Sequence, residues 1–340
     1  MTKTIEIKNM RDTRAVAAPA KDCGYFHGCQ TCDENDTCKL DRAAHKKWLI
    51  NKRMADIKYK VLVGSNKGGV GKSTTTVNLA CALERLGYKV GLADADLHGP
   101  NIPKMLGIEN VRLRGDKDGI APHIMPAGMK VASLGLLIED QNEPVVWRDA
   151  VKYEFTIELL GNITWGKLDF LIIDLPPGTG NEHITIMDFI PNLDGVVVVS
   201  TPQDVALLDA RKMISFVKER NTPIIGIVEN MSGLICPHCS GEIDVFKKGG
   251  GERVANELGV PFIGAIPLDS EITVCADKGI PVVQAYPDSP STKAFMAVAE
   301  RCARFLGAAS HPEQEMSATS PEFRAAGNVT ADITTPPMVS

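Results

Sequence analysis

The sequence has no long hydrophobic run, no excess of positive charge and no internal repeat. Its longest apolar stretch, around Val196–Val199, falls far short of the about 18 residues a membrane-spanning helix requires. That stretch reads instead as a buried strand. The opening residues, MTKTIEIKNMRDTR, hold no apolar core of the signal-peptide type. Lys and Arg number 37 against 42 Asp and Glu, for a net charge of −5, which argues against a general nucleic-acid binder. Nothing basic and amphipathic stands out as a membrane anchor. The expected compartment is the cytosol, where thiols stay reduced. Nine cysteines in such a chain read as metal ligands and core fillers rather than disulfides.

What is present divides the chain into five parts. Residues 1–22 are polar and read as a flexible N-terminus. Residues 23–40 form a module with four cysteines, and 41–58 read as a linker helix. The basic run from Lys46 to Lys60 reads as the solvated side of that helix. From 59 to 306 the pattern alternates strand, loop and helix. Candidate strands are Lys60–Gly64, Val90–Ala93, Phe170–Ile173, Val196–Ser200, Ile224–Val228 and Phe262–Ile266. Candidate helices begin near Lys72, Val205, Gly251 and Ser291. Apolar runs without alternation suit strands buried on both faces, so the expected fold is a doubly wound α/β domain with a mostly parallel sheet. Residues 307–340 are rich in Ser, Thr, Pro and Ala and read as a disordered tail.

Strand Lys60–Gly64 runs into GSNKGGVGKST and then an apolar-faced helix. Such a loop brings backbone N–H groups onto phosphate oxygens, and the helix N-terminus adds its dipole. The candidate nucleotide-binding residues are Lys67, Gly68, Gly69, Val70, Gly71, Lys72, Ser73 and Thr74. Lys72 would neutralise phosphate charge and Ser73 would ligate Mg²⁺, so ATP and Mg²⁺ are the expected cofactors. The usual motif opens on Gly where Asn66 stands; Asn tolerates left-handed φ, which would let the loop form. Two further carboxylates end apolar strands: Asp96, in D-A-D-L-H-G-P-N, and Asp174, in L-D-F-L-I-I-D. Carboxylates at the carboxyl ends of parallel strands lie at the ligand-binding edge. Asp174 fits the Walker B position, holding Mg²⁺ through water. Asp94 reads equally as a turn cap and His98 as a surface loop residue.

The second lysine of K-G-G-V-G-K-S resembles the deviant P-loop family. That family includes the nitrogenase iron protein, partition and septum-site ATPases, and the Mrp/ApbC-type iron–sulfur carriers. The string D-L-P-P-G-T-G from Asp174 to Gly180 resembles the Mrp/ApbC branch, as do T-P-Q-D-V-A from Thr201 and I-V-E-N-M-S from Ile227. The branch commonly has Asp where Asn181 stands. The resemblance implies that Lys67 reaches the partner's nucleotide and supplies transition-state charge in trans. It further implies that Asp96 orients the attacking water, that Asn230 contacts adenine and that Pro267 borders the base.

Cys236 and Cys239 form a C-x-x-C, which alone is ambiguous between a redox dithiol and half a metal site. Two thiolates cannot complete a tetrahedral site, whereas a two-fold dimer supplies four. The resemblance implies a 4Fe–4S cluster bridged by these pairs in a homodimer. Cys23, Cys29, Cys32 and Cys38 suffice for a site within one chain, and four thiolates hold either zinc or a 4Fe–4S cluster. Their similarity to the Nbp-type N-terminal segment favours a second 4Fe–4S cluster. Cys81 and Cys302 read as core, and Cys275 as structural.

The chain is thus identified as a member of the Mrp/Nbp type of P-loop ATPase. The resemblance implies an ATP-dependent scaffold or carrier that binds a 4Fe–4S cluster and passes it to apo iron–sulfur proteins, with slow hydrolysis. Two other readings stand beside it. An electron-transfer ATPase like the nitrogenase iron protein would place its ligands far apart, one near the Walker B element. A partition or positioning ATPase would carry a basic face or a membrane helix, and would have no use for Cys236 and Cys239.

Overall fold

The computed structural model describes residues 42–116, 118–137, 149–235, 239 and 241–308. The four-cysteine module, Cys236 and the tail beyond 308 lie outside the described residues. Eight strands form the central sheet. They are β1 Ile57–Gly64, β2 Val90–Asp94, β3 His123–Ile124, β4 Lys130–Ser133, β5 Leu168–Asp174, β6 Gly195–Ser200, β7 Ile224–Glu229 and, after a two-stranded ribbon, β10 Phe262–Ala265. The ribbon pairs β8, Leu234–Ile235, antiparallel with β9, Glu242–Ile243. The sheet order is β10-β7-β6-β1-β5-β2-β4-β3, parallel throughout except for β3 against β4.

The helices are α1 Arg42–Ala55, α2 Lys72–Arg85, α3 Asp149–Ile157, α4 Asn181–Phe189, α5 Asp204–Glu219, α6 Gly250–Leu258, α7 Ser270–Lys278 and α8 Pro290–Phe305, with shorter turns between. They cover both faces of the sheet, and β1 shows why its sequence does not alternate. Val61 and Val63 pack into one core with Val77 of α2 and Phe295 of α8, while Leu62 packs into the other with Ile50 of α1 and Met213 of α5. A strand with both faces dry gains from apolar residues at every position, at about 1.5–3 kcal/mol for each large aliphatic side chain buried. No helix among the described residues is long and apolar enough to cross a membrane.

The basic run is not one solvated face. The helix ends at Ala55 and β1 begins at Ile57, so Lys58 and Lys60 lie in a strand. Lys58 pairs with Asp169 at 2.6 Å, and Lys60 is buried, its ammonium bonded to the Ile57 carbonyl at 3.0 Å and 3.6 Å from Asp194. Nor is α1 only a linker, because Leu49, Ile50 and Met54 are buried. Strand β4 and helices α3, α4 and α7 had no counterpart among the expected elements.

The register brings the strand ends that matter to one edge. Asp174 stands beside Asp94, Asp94 beside Ser133, and Gly64 beside Val198. Further along, Ser200 stands beside Glu229 and Glu229 beside Ala265. From β1 the chain builds outwards through β2 and β4, then returns and builds the other way through β6, β7 and β10. Loops that diverge at such a reversal leave a crevice at the carboxyl edge, where α/β sheets bind ligands.

Candidate functional site

Residues Ser65 to Gly71 lie in that crevice, between β1 and α2. Gly69 and Gly71 both have φ +80°, a region that favours glycine. Gly71 has a second constraint: a Cβ there would lie 2.1 Å from Asn230 Nδ2. The loop is closed by Ser65, whose hydroxyl donates to the Lys67 carbonyl at 3.0 Å, and by the Gly178 amide, which donates to the Ser65 carbonyl at 3.0 Å. Lys67, Gly68 and Gly69 are exposed and Val70 is buried.

Asn66 does not use left-handed backbone, because it is absent from the non-glycine residues with positive φ. Its amide instead donates to Asp209 Oδ1 of α5 at 3.1 Å. The departure from glycine is thus a side-chain tie between the loop and α5. Asp209 is held below the usual carboxylate range by the Lys212 hydrogen bond, outweighing its desolvation, with help from Asn66 and Lys67.

Asp174 is fully buried and gathers the polar groups of α2. Lys72 Nζ and Ser73 Oγ both donate to its Oδ2 at 2.6 Å, and Thr76 Oγ1 donates to Oδ1 at 2.6 Å. A buried carboxylate is tolerable only when bonded in this way. Thr76 was not among the expected site residues. Its signal was its position one helical turn after Lys72, on the same face. Thr74 sits half-buried in the first turn.

Asp96 lies 3.8 Å from Lys72 and accepts the His98 and Gly99 amides at 3.2 and 3.3 Å. Burial raises its pKa, opposed by Lys72. Asp94 is wholly buried and is pushed up to about 8 by burial and then by the Asp174 carboxylate. Its oxygens accept from Ser133 Oγ at 2.9 Å and from the Asp96 amide at 3.1 Å. Asp94 caps the turn that leads to Asp96, as its place in the sequence suggested, and does so from a wholly buried position. His98 is a surface residue, 56% exposed. The Ser73 hydroxyl and the Asp174 carboxylate supply oxygen donors, which suit a hard cation such as Mg²⁺.

Asn181 opens α4, following Gly180 at its N-cap. His183, two residues further along, is fully buried beside the Pro176 carbonyl, and its pKa is lowered to about 4, chiefly by desolvation.

Asn230 is buried, and its side-chain amide donates to the Val70 carbonyl at 2.9 Å. The residue expected at the adenine is thus bonded to the phosphate loop itself. Pro267 lies half-buried beside the stem of the ribbon, between the Ser232→Ile266 and Leu268→Gly233 backbone bonds of 2.9 and 2.8 Å. Cys239 is exposed in the connection between β8 and β9. Among the described residues no three His, Cys, Asp or Glu side chains are grouped to hold a metal ion, so none completes a site around Cys239. Cys81, Cys275 and Cys302 are buried. Burial raises all three thiols, Cys302 to about 12, which disfavours the reactive thiolate.

Known proteins share this architecture. A nucleotide-binding protein from Archaeoglobus fulgidus, solved with ADP and cobalt, superposes with a TM-score of 0.61 at 36% identity, covering 68% of this chain and 91% of that one. The septum site-determining protein MinD from Pyrococcus horikoshii, solved with Mg-ADP, gives 0.53 at 26% identity over 74% of this chain and 98% of its own. The iron-sulfur cluster carrier protein of Methanocaldococcus jannaschii is 47% identical over 275 residues, 80% of this chain and 94% of the relative. The cytosolic Fe-S cluster assembly factor NUBP2 homolog of Dictyostelium discoideum is 43% identical, over 72% of this chain and 94% of its own. Residues 56–303 match the ParA-type family described as NUBPL iron-transfer P-loop NTPase, so phosphate loop, Walker B strand and cysteine segment fall within one family match. The chain belongs to the NUBPL iron-transfer P-loop NTPase family.

Proposed function

We propose that this protein is an ATP-dependent iron–sulfur cluster carrier that works as a homodimer in the cytosol. The observation that carries the reading is the Asn230–Val70 hydrogen bond. It joins the phosphate loop to the end of β7, from which the segment bearing Cys236 and Cys239 departs. A chain that only bound nucleotide would have no use for cysteines there.

Lys72 neutralises the nucleotide phosphates, and Ser73 and Asp174 would hold Mg²⁺, which would supply further positive charge to them. The backbone amides of Gly68 to Gly71 donate to phosphate oxygens at the positive end of the α2 dipole. Asp96 orients the attacking water, which its carboxylate reaches from the rim of the same cluster. Lys67, exposed on the rim, supplies charge to the partner's nucleotide. Cys236 and Cys239 of both chains ligate one 4Fe–4S cluster, the cargo, and apo iron–sulfur proteins receive it. Cys23, Cys29, Cys32 and Cys38 hold a second 4Fe–4S cluster. The dimer reading is supported by Val205 and Leu208 on α5 and Ile243 and Val245 at and just after β9, apolar side chains left exposed, with the Lys247–Asp204 ion pair tying that connection to α5.

The test is anaerobic reconstitution with iron and sulfide, followed by transfer to an apo 4Fe–4S protein read by recovery of its activity. MgATP is expected to change the transfer rate. A chain that binds neither iron nor labile sulfide after reconstitution is not a carrier.

A further inference from the structure

We propose that Glu229 is the positioning residue that passes the state of the phosphate loop to the cysteine segment. Glu229 ends β7, in register between Ser200 of β6 and Ala265 of β10, and its side chain is fully buried. A carboxylate in that setting is costly unless its oxygens are satisfied. Its donors come from both ends of one stretch of chain. Ser232 Oγ, where the stretch leaves, donates to Oε1 at 2.5 Å. The Gly249 amide donates to Oε1 at 2.8 Å and the Gly251 amide to Oε2 at 2.5 Å, where the stretch returns and opens α6. The positive end of the α6 dipole favours the charge. Between these anchors lie the β8–β9 ribbon and Cys239. One carboxylate therefore closes the base of the segment.

The neighbouring residue makes the other connection. Asn230 binds Val70 through its side chain and the Ser200 carbonyl through its backbone amide, at 2.9 and 2.8 Å. There is little slack in either contact. A Cβ on Gly71 would collide with the Asn230 amide, and a Cβ on Gly251 would lie 3.1 Å from Glu229 Cβ. A shift of the loop at Val70–Gly71 is thus felt at Asn230 and, one residue back, at the carboxylate holding both ends of the segment. Glu229 touches neither nucleotide nor cluster in this scheme; it acts through the backbone it holds.

The proposal rests on the carrier reading for what the segment holds, but its test uses the full-length apoprotein and no cluster. Alkylation of Cys239 by iodoacetamide is followed peptide by peptide, with and without MgATP, and nucleotide affinity is measured separately with a fluorescent ATP analogue. In the wild type, MgATP is expected to change the Cys239 rate by at least about five-fold, the lower range of allosteric coupling. In Glu229→Gln the side-chain NH2 takes the place of one carboxylate oxygen and so opposes either the Gly251 N–H, which bonds Oε2, or the Gly249 N–H and Ser232 hydroxyl, which bond Oε1. Its affinity should stay within about two-fold of wild type while the MgATP effect falls to about one-fold. Ser232→Ala removes one donor, keeps the carboxylate and should at least halve the effect; it decides the matter if Glu229→Gln does not fold. A full wild-type effect in either folded variant overturns the proposal. So does a wild-type rate indifferent to MgATP, or a loss of nucleotide affinity in Glu229→Gln. Iron loading of the same preparations tests the carrier reading separately.

Discussion

The two halves of the sheet edge are held in different ways. Beside β1 and β5, side chains bond side chains: Lys72, Ser73 and Thr76 all converge on Asp174 within one helical turn. Beside β7 and β10, Glu229 draws two of its donors from backbone amides and one from a hydroxyl. The first arrangement fixes charges where phosphates bind. The second fixes where a stretch of chain starts and ends, and leaves its middle to the cysteines. Met231 and Lys247, with φ of 56° and 71°, lie near the two ends, so the backbone there is strained where the carboxylate grips it. At one sheet edge, side chains gather on a carboxylate beside the phosphate loop, while a second buried carboxylate holds the two ends of a separate stretch of chain.

The largest expected effect breaks the first half alone. Lys72→Ala removes the ammonium from a fully buried carboxylate, at roughly 3–5 kcal/mol. Phosphate release should fall by at least about 100-fold. Mixing this variant with Lys67→Ala should restore part of the activity in heterodimers, since the site on the Lys67→Ala chain keeps its own Lys72 and receives Lys67 from the other chain, while the second site has neither. A confirmed heterodimer without activity would speak against action in trans.

Gly71→Ala attacks the tie between the halves. The left-handed backbone and the 2.1 Å contact with Asn230 together predict a cost of about 1–3 kcal/mol. Nucleotide affinity should drop, as read by titration, and Asn230→Ala in the same chain should recover some of it.

His183 offers a smaller effect with a defined sign. Its folded pKa of about 4 lies below its unfolded value, so the unfolded chain binds the extra proton as pH falls from about 6.5 to 4. The stability that neutral His183 contributes is present above pH 6.5 and lost through that window, on the order of 3 kcal/mol in all. Denaturant melts of His183→Phe against wild type across pH 4–7 should show the wild type losing more. Parallel curves would contradict the burial argument.

Asn66→Gly is the mildest change. It removes one half-buried hydrogen bond to Asp209 and restores the common loop residue, so stability should fall by only about 0.5–1.5 kcal/mol. Nucleotide affinity should stay near wild type; a large loss would mean that the α5 tie shapes the phosphate site.

These contrasts also mark what the sequence could reveal. The strands with dry faces were readable because every residue from Val196 to Val199 is apolar. The phosphate loop, Asp96 and Asp174 were readable because their chemistry requires local order in the chain. β4 escaped because Lys-Val-Ala-Ser is too short to show a pattern, and α4 because Pro176 and Gly178 just before it read as loop. Asp209 and Glu229 escaped for another reason. Their partners, Asn66 for one and Gly249 and Gly251 for the other, are brought to them by the fold, and nothing local in the sequence announces such a meeting.

The central claim is that two chains share one cluster through Cys236 and Cys239 beside the nucleotide site. Native mass spectrometry of the anaerobically reconstituted protein tests it most directly, on wild type and on the double variant Cys236→Ala/Cys239→Ala. The account predicts about three 4Fe–4S clusters per wild-type dimer, one of them shared, and about two in the variant. An unchanged cluster mass in the variant, or a wild type that carries the extra cluster as a monomer, would contradict it.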